Sequence, residues 1–371
     1  MAFVDRTWIE LSTTALYHNL YQVRQAIGPE VGIAAVLKAN AYGHGWRQLW
    51  PLLASQRLRA IAVAHGHEAL ALRQDGYRGP LIVLTHWLPN QLGRLVSHQV
   101  ELVVWDFESW KHVQYMARRL RRPVQLHLKL DTGTSRIGFV ERDLPSLRRF
   151  LSTHPSSVTI RGIFSHLANA EEWSTQRTNG QIKYFTTLTS KLRITADEYH
   201  LACTAAALRY PASRLSFIRL GIGLYGHWPS TAIERWARGR PIRLQPVLSW
   251  YSRLSQVKRV PRGAAVGYGS TVQVRRPTVL GLIPVGYSDG YDRRASNRWW
   301  VIVNNRRAPV IGRVSMNLLT VDLTDVPGPV AGQRLTLVGT GVSPEAFSRA
   351  VGTIHYEVLS RLHPDIPRYP V

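Results

Sequence analysis

The sequence is almost without cysteine. A single residue, Cys203, stands in 371 positions, so no intrachain disulfide can form and no zinc site built on cysteine alone can assemble. Long apolar runs are missing too, and none reaches the roughly 18 residues that a membrane span requires. The opening segment MAFVDRTWIELS has no basic stretch followed by an apolar core, which argues against an export signal. Lysine is scarce: only Lys38, Lys111, Lys129, Lys183, Lys191 and Lys258 stand among 47 basic residues, and the rest are arginine. Acidic residues number 23, which leaves a formal net charge of +24. Apolar residues are plentiful. Hydrophobic side chains make up 45% and aromatics 9%, enough for buried cores and too much for a disordered chain. These features predict a cytoplasmic protein with no membrane partner.

So basic a chain attracts polyanions. Its arginines are scattered, however, and the densest cluster, Arg118, Arg119, Arg121 and Arg122, carries no interleaved aromatics. A solvated basic surface with no specific nucleic-acid partner is the expectation.

The chain is α/β in its first two-thirds. Short apolar runs predict strands at Ile33–Leu37, Ala60–Ala64, Leu81–Thr85, Glu101–Trp105, Val124–Leu130, Thr159–Ser165, Tyr199–Cys203 and Phe217–Leu220. They are too continuously apolar for one-sided antiparallel strands. Helical patterns such as Arg47–Leu58, His67–Asp75 and Phe107–Leu120 separate them. Eight strands with intervening helices predict an N-terminal (β/α)8 barrel of the TIM type. A doubly wound sheet is the alternative, but no G-x-G-x-x-G turn supports it. Near residue 240 the pattern changes. Val247–Val260, Val279–Pro284, Trp300–Val303, Val310–Val314, Leu319–Leu323 and Gln333–Val338 read as strands, and Asn304-Asn305 suits a hairpin. Two domains are expected: a barrel over 1–240 and a mostly β domain over 241–371.

In such a barrel, reactive groups belong at the C-terminal ends of the strands. There stand Lys38-Ala39-Asn40-Ala41-Tyr42-Gly43-His44, Lys129-Leu130-Asp131, His166, Cys203-Thr204 and Arg219-Leu220-Gly221-Ile222. Lys38 is either a side chain reaching solvent or an imine-forming nucleophile of lowered pKa. Thr204 and the Gly221–Ile222 backbone suit a phosphate, Arg219 a ring nitrogen and Arg136 a carboxylate. Together they describe pyridoxal phosphate. His65-Gly66-His67-Glu68 has a metal-like composition but lacks the helical spacing of a catalytic zinc site.

The stretches VLKANAYGHG, HLKLDTGTSRIGF, GIFSHLANAEE, FIRLGIGLYG, VGYGSTV, PVGYSDGYDRR, IGRVSMN and IHYEVLSRLHPDIPR, in this order, resemble the bacterial alanine racemases. The resemblance covers nearly the whole chain. It implies a pyridoxal 5'-phosphate enzyme of barrel plus β domain, assembled as a head-to-tail homodimer with composite active sites, supplying D-alanine for peptidoglycan. It makes Lys38 the lysine that holds the cofactor and one of two proton-transfer bases, with Tyr268 from the partner subunit as the other. His166 would pack on the ring and Arg219 bond its nitrogen. Tyr42, Thr204, Gly221, Ile222 and Tyr356 would contact the phosphate. Arg136 and the backbone of Met316 would hold the substrate carboxylate, and Lys129 falls where carbamylation is frequent, the alternative being an ion pair with Asp131. Tyr287, Glu171, Arg293 and Arg313 would line the entrance. Asn317, Cys203 and Ser315 depart from the family pattern, where Asp, Asn and Cys are usual. They leave open a racemase for serine or a broader set. A basic amino-acid decarboxylase shares the barrel and the cofactor, but the VGYG tyrosine and the RLGIGLYG arginine speak against it. A non-catalytic cofactor- or nucleic-acid-binding protein is the alternative from another class. No metal is expected.

Overall fold

The computed structural model describes residues 5–153 and 155–371; the first four residues of the segment read for an export signal lie outside the described residues. The chain divides into two compact units. One comprises the N-terminal segment through Thr14, Asn40–Gln48 and Pro246–Val371; the other comprises Ala15–Ala39 and Leu49–Gln245.

The first strand, β1 (Thr7–Leu11), belongs to the former unit. The second unit carries β2 (Gly32–Val36), β3 (Ala60–His65), β4 (Leu81–His86), β5 (Leu102–Val104), β6 (Val124–Lys129), β7 (Val158–Phe164), β8 (Glu198–His200) and β9 (Phe217–Leu220). They form two four-stranded parallel sheets, ordered β4-β3-β2-β9 and β5-β6-β7-β8. Parallel bridges Ile82↔Glu101 and Cys203↔Arg219 join the edges. Glu101 N–H donates to Leu81 O at 2.8 Å and Arg219 N–H to Ala202 O at 2.9 Å, so the eight strands close on themselves. This is the expected α/β barrel, and strand ends fall close to those read from the sequence. The clearest shortening is at the seventh barrel strand, which stops at His200 instead of Cys203.

The strands were legible because both faces are covered. Ala60 through Val63 and Leu102 through Val104 are buried without alternation. The helix Phe107–Leu120 has the predicted bounds; Asp106 caps it by accepting the Ser109 N–H at 2.7 Å. Thr13–Ile27 buries Leu16, Leu20, Val23 and Ile27 on one stripe.

In the other unit the strands are β10 (Leu248–Arg253), β11 (Gln256–Val260), β12 (Ala265–Val266), β13 (Val272–Gln273), β14 (Thr278–Ile283), β15 (Trp300–Val303), β16 (Arg306–Pro309), β17 (Leu319–Asp322), β18 (Arg334–Val338) and β19 (Arg368–Pro370). The largest sheet is ordered β16-β15-β18-β10-β1-β19. The stretch 247–260, read as one strand, is two strands in different sheets. Val310–Val314 is not a strand: only a bridge, Val310↔Val321, forms there. Asn304 and Asn305 make the predicted hairpin turn with φ of 47° and 57°, values that asparagine tolerates. Two short helices, Pro344–Val351 and His355–Ser360, follow β18 in this mostly β unit.

Candidate functional site

Lys38 opens a short turn of unusual hand. Ala39, Asn40, Ala41 and Tyr42 have φ between 52° and 54°, a left-handed helical turn made of L residues. Each such residue costs roughly 1–2 kcal/mol, so the surroundings must hold it. Glu68 does so from one side: Oε1 accepts the Ala39 N–H at 2.7 Å, while Oε2 accepts those of Ala64 and His65 at 2.8 and 2.9 Å. The Asn40 side chain accepts the Trp46 N–H at 3.2 Å. Gly43 continues with φ 81°, and a Cβ there would lie 1.8 Å from Leu359 O. No periodicity in the sequence announces this turn; the small residues of KANAYGHG were its only trace.

The motif His65-Gly66-His67-Glu68 is thus structural. Both Glu68 oxygens are taken by backbone N–H groups, and the His65 and His67 rings stack at 5.5 Å.

The barrel mouth gathers cations. Lys38 is accessible there, yet desolvation by the surrounding protein, and then Arg136, lower its pKa, while Glu68 works the other way. Lys129, the last residue of β6, is buried and pulled down to about 7, by burial first and then by Arg219 and Arg136. Among the described residues it makes no ion pair. Asp131 instead accepts the N–H groups of Gly133, Thr134 and Ser135, so the ion pair considered for Lys129 does not form. The Phe164 ring lies 5.3 Å from its Nζ.

Arg219 on β9 is buried and tightly held. Nη1 donates to His200 Nδ1 at 2.8 Å and His200 O at 3.1 Å. Nη2 donates to Ser165 O at 2.8 Å, Leu201 O at 3.0 Å and His166 Nδ1 at 3.2 Å. Among the described residues Nε–H takes no part in these bonds, and no carboxylate pairs with the guanidinium. Burial draws its pKa down to about 10. His166 accepts from Arg219, so its Nδ1 is unprotonated. Burial, then Arg219, keep the ring neutral by lowering its pKa well below the usual histidine range.

Beside these cations lies a cradle of backbone donors. Thr204 Oγ1 accepts the N–H groups of Gly221 at 3.3 Å and Gly223 at 3.4 Å. A Cβ on Gly223 would lie 2.5 Å from Thr204 Cγ2, so only glycine permits this approach. The Cys203 thiol is half-buried, and desolvation by the surrounding protein raises its pKa, so it is no thiolate nucleophile. Lysines depressed by the neighbouring arginines, with Glu68 and Asp131 turned to backbone amides, make a site short of negative charge. An anionic cofactor with an aldehyde and a phosphate fits that donor set.

The remaining candidates lie in the other unit, apart from Glu171, whose carbonyl accepts from Ser230 Oγ. Tyr42 and Tyr356 face each other with ring centroids 6.1 Å apart. Tyr268 stands 72% exposed between Gly267 and Gly269, both at positive φ. A Cβ on Gly269 would lie 2.9 Å from Arg313 Nη1, so Arg313 abuts that loop. Met316 and Tyr287 are exposed neighbours: Tyr287 N–H donates to Ser315 O at 3.1 Å and Ser288 N–H to Met316 O at 3.0 Å. Asn317 Nδ2 donates to Ser288 Oγ at 2.7 Å, and that hydroxyl donates to Met316 O at 2.8 Å. Arg293 is exposed in the turn Arg293–Ala295. Two residues at the site, His200 and His127, went unnoticed in the sequence, and Glu68 stood out there only for its metal-like company. The only available sign was His127 two places before Lys129, on the same strand face.

The chain matches the family models described as the alanine racemase N-terminal domain, over residues 11–229, and C-terminal domain, over residues 247–370. It is 33% identical to alanine racemase 1 of Caldanaerobacter subterraneus over 98% of this chain and 95% of that one. It is also 33% identical to the alanine racemase of Desulforamulus reducens, covering 97% and 98% of the two chains. Among solved structures, the alanine racemase of Clostridium difficile superposes with TM-score 0.93 at 27% identity, covering 99% of this chain and 96% of that one. The Bacillus anthracis alanine racemase with bound L-Ala-P superposes with TM-score 0.92 at 28% identity, covering 99% and 95%.

Proposed function

The chain belongs to the alanine racemase family, whose members depend on pyridoxal phosphate, and we propose that it interconverts L- and D-alanine at the mouth of its barrel. The observation that supports this best is the gathering of Lys38, Lys129 and Arg219 around the Thr204–Gly221–Gly223 cradle. Lys38 would hold the cofactor covalently, and its lowered pKa favours the neutral amine that this bond requires. Thr204, Gly221 and Ile222, with Tyr42 and Tyr356, would take the phosphate. Arg219 would face the ring nitrogen, and His166 would pack on the ring. Bound there, pyridoxal phosphate supplies the electron-withdrawing ring that makes a substrate Cα–H acidic.

Racemisation removes a proton from one face of Cα and returns one to the other, so two acid–base groups must flank it. Lys38 Nζ would serve one face and Tyr268 Oη, from the partner subunit, the other. A phenol is a poor base near pKa 10 unless a neighbour steadies its anion. Arg136, with the Met316 amide, would hold the substrate carboxylate. Lys129 has the neutral fraction that carbamylation by carbon dioxide needs, and the product would give Arg136 an anion. Tyr287, Glu171, Arg293 and Arg313 would line the entrance. The assembly is a homodimer in this reading, cytoplasmic, with domains over 1–240 and 241–371, serving D-alanine supply for peptidoglycan. No helix among the described residues is long and apolar enough to cross a membrane.

Serine is the second substrate to weigh, because Asn317 donates to Ser288 where an aspartate cannot. Exchange of the Cα proton in D2O across a panel of amino acids tests both readings. The expected result is fastest exchange for alanine, lost in Lys38→Ala and impaired in Tyr268→Phe. No exchange with any amino acid overturns the reading, and a higher kcat/KM for serine replaces alanine as the substrate.

A further inference from the structure

Behind Arg219 a chain of hydrogen bonds crosses the barrel interior. Arg219 Nη1 reaches His200 Nδ1 at 2.8 Å, His200 Nε2 reaches His127 Nδ1 at 3.0 Å, and His127 Nε2 reaches Glu101 Oε2 at 2.7 Å. Both imidazoles are fully buried. A guanidinium only donates and an ionised carboxylate only accepts, so the two ends fix every proton between them. His200 Nδ1 must accept, hence its Nε2 carries hydrogen. His127 Nδ1 accepts that hydrogen, hence its own Nε2–H goes to Glu101. Burial opposes ionisation of Glu101, but the bonds from His127 and Arg59 outweigh it and hold the carboxyl at about 2. The chain therefore runs one way, from Arg219 to Glu101, with its dipoles aligned.

Ordinary barrel packing does not ask for this, since branched apolar side chains usually fill such interiors. Here the rings of Phe164 and Phe217 stack on His200 at 4.5 and 4.2 Å. His127 and His200 sit on β6 and β8, with β7 between them. The strand β7 leaves the passage open with Gly162, where a Cβ would lie 2.3 Å from His127 Nδ1. The β6–β7 register shifts between Leu126 and His127, which sets Gly162 opposite His127. At the far end Arg59 bonds Glu101 through both terminal nitrogens, at 3.0 and 2.9 Å, and also pairs with Glu198. Arg161, 3.7 Å from Glu198, is balanced by Asp197 at 2.8 Å. Glu101 and Glu198 gather around Arg59, and the buried Arg73, turned to backbone carbonyls, also feels the Glu101 charge. Arg219 has no carboxylate of its own among the described residues, and the chain of hydrogen bonds that starts from it ends on Glu101.

We propose that Glu101, acting through His127 and His200, is the remote countercharge that fixes Arg219 as a cationic donor toward the cofactor ring. Glu101, His127 and His200 are then positioning residues, and Gly162 is the opening through which they act. The inference rests on the reading of Arg219 as the ring partner.

Neutron diffraction from D2O-exchanged crystals of the holoenzyme reads the protons directly. Deuterium on Nε2 of both His127 and His200 is expected; deuterium on Nδ1 of either overturns the proposal, and this result stands even if a variant fails to fold. In solution, Gly162→Ala and Glu101→Gln are compared with wild type by the absorption spectrum of the bound cofactor. The second readout is the fraction of turnovers ending in transamination instead of racemisation. Both variants should move the spectrum and raise that fraction roughly 2- to 30-fold, the range for a residue acting through a network. Glu101→Asp should lie between wild type and Glu101→Gln. A purely structural role would lower the yield of folded enzyme and leave fraction and spectrum unchanged, which overturns the proposal. Arg219→Glu separates the two ideas. If it moves neither readout, the ring-partner reading fails; if it alone moves them, only the relay fails.

Discussion

Glu101 shows how one buried carboxylate can matter at a distance. Its folded pKa of about 2 lies below the ordinary 4.5, so its stabilisation is present above pH 4.5 and is lost as pH falls toward 2. At 1.36 kcal/mol per unit the pH-dependent part is about 3 kcal/mol. Chemical denaturation of wild type and Glu101→Gln should show a stability gap that is constant at pH 6 and shrinks by about that amount across this window. A gap independent of pH would mean that folding leaves the Glu101 pKa unchanged, so that its bonds to His127 and Arg59 do not favour the carboxylate. The residue was invisible in the sequence because the charge reads as the edge of an apolar run, and its partners, His127 on β6 and Arg59 just before β3, lie far from it in the chain. Lys38, Thr204 and Arg219 were legible because a barrel presents the C-terminal ends of all its strands at one mouth, so reactive side chains stand at predictable places in the chain.

The left-handed turn after Lys38 sets the geometry at the level of elements. Asn40 is the residue type that bears φ 53° best after glycine, and its side chain also accepts the Trp46 N–H. Asn40→Val loses both, and β-branching adds to the strain, so a loss of roughly 2–3 kcal/mol in denaturation experiments is expected. A change within 0.5 kcal/mol, the ordinary range of surface substitutions, would show that the turn is not under strain. Propensity cannot reveal such a turn, because only the surrounding contacts hold it. The β unit was read less well for a related reason. Its strands alternate and are short, and the break between β10 and β11 is made by pairing with different partners: β10 with β1 and β18, β11 with β14. The strand β1 was missed because those partners, β10 and β19, lie far away in the chain, a relation that local pattern does not encode.

For the whole molecule, the charge of +24 and the arginine excess belong to the surface more than to the site. Retention on a polyanion column should vanish at modest salt, as screening predicts for a scattered field. The exposed Tyr268, Tyr287, Met316 and Leu318 all lie in the β unit, and sedimentation at micromolar concentration should find a dimer. A monomer with undiminished turnover would contradict the composite site.

The proposed activity requires a covalent bond between the Lys38 amine and the cofactor aldehyde. Borohydride reduction of the purified yellow holoenzyme, followed by peptide mapping, tests it directly. The reduced cofactor should be found on the peptide containing Lys38 and on no other; a label on Lys129 or another lysine, or no label at all, contradicts it.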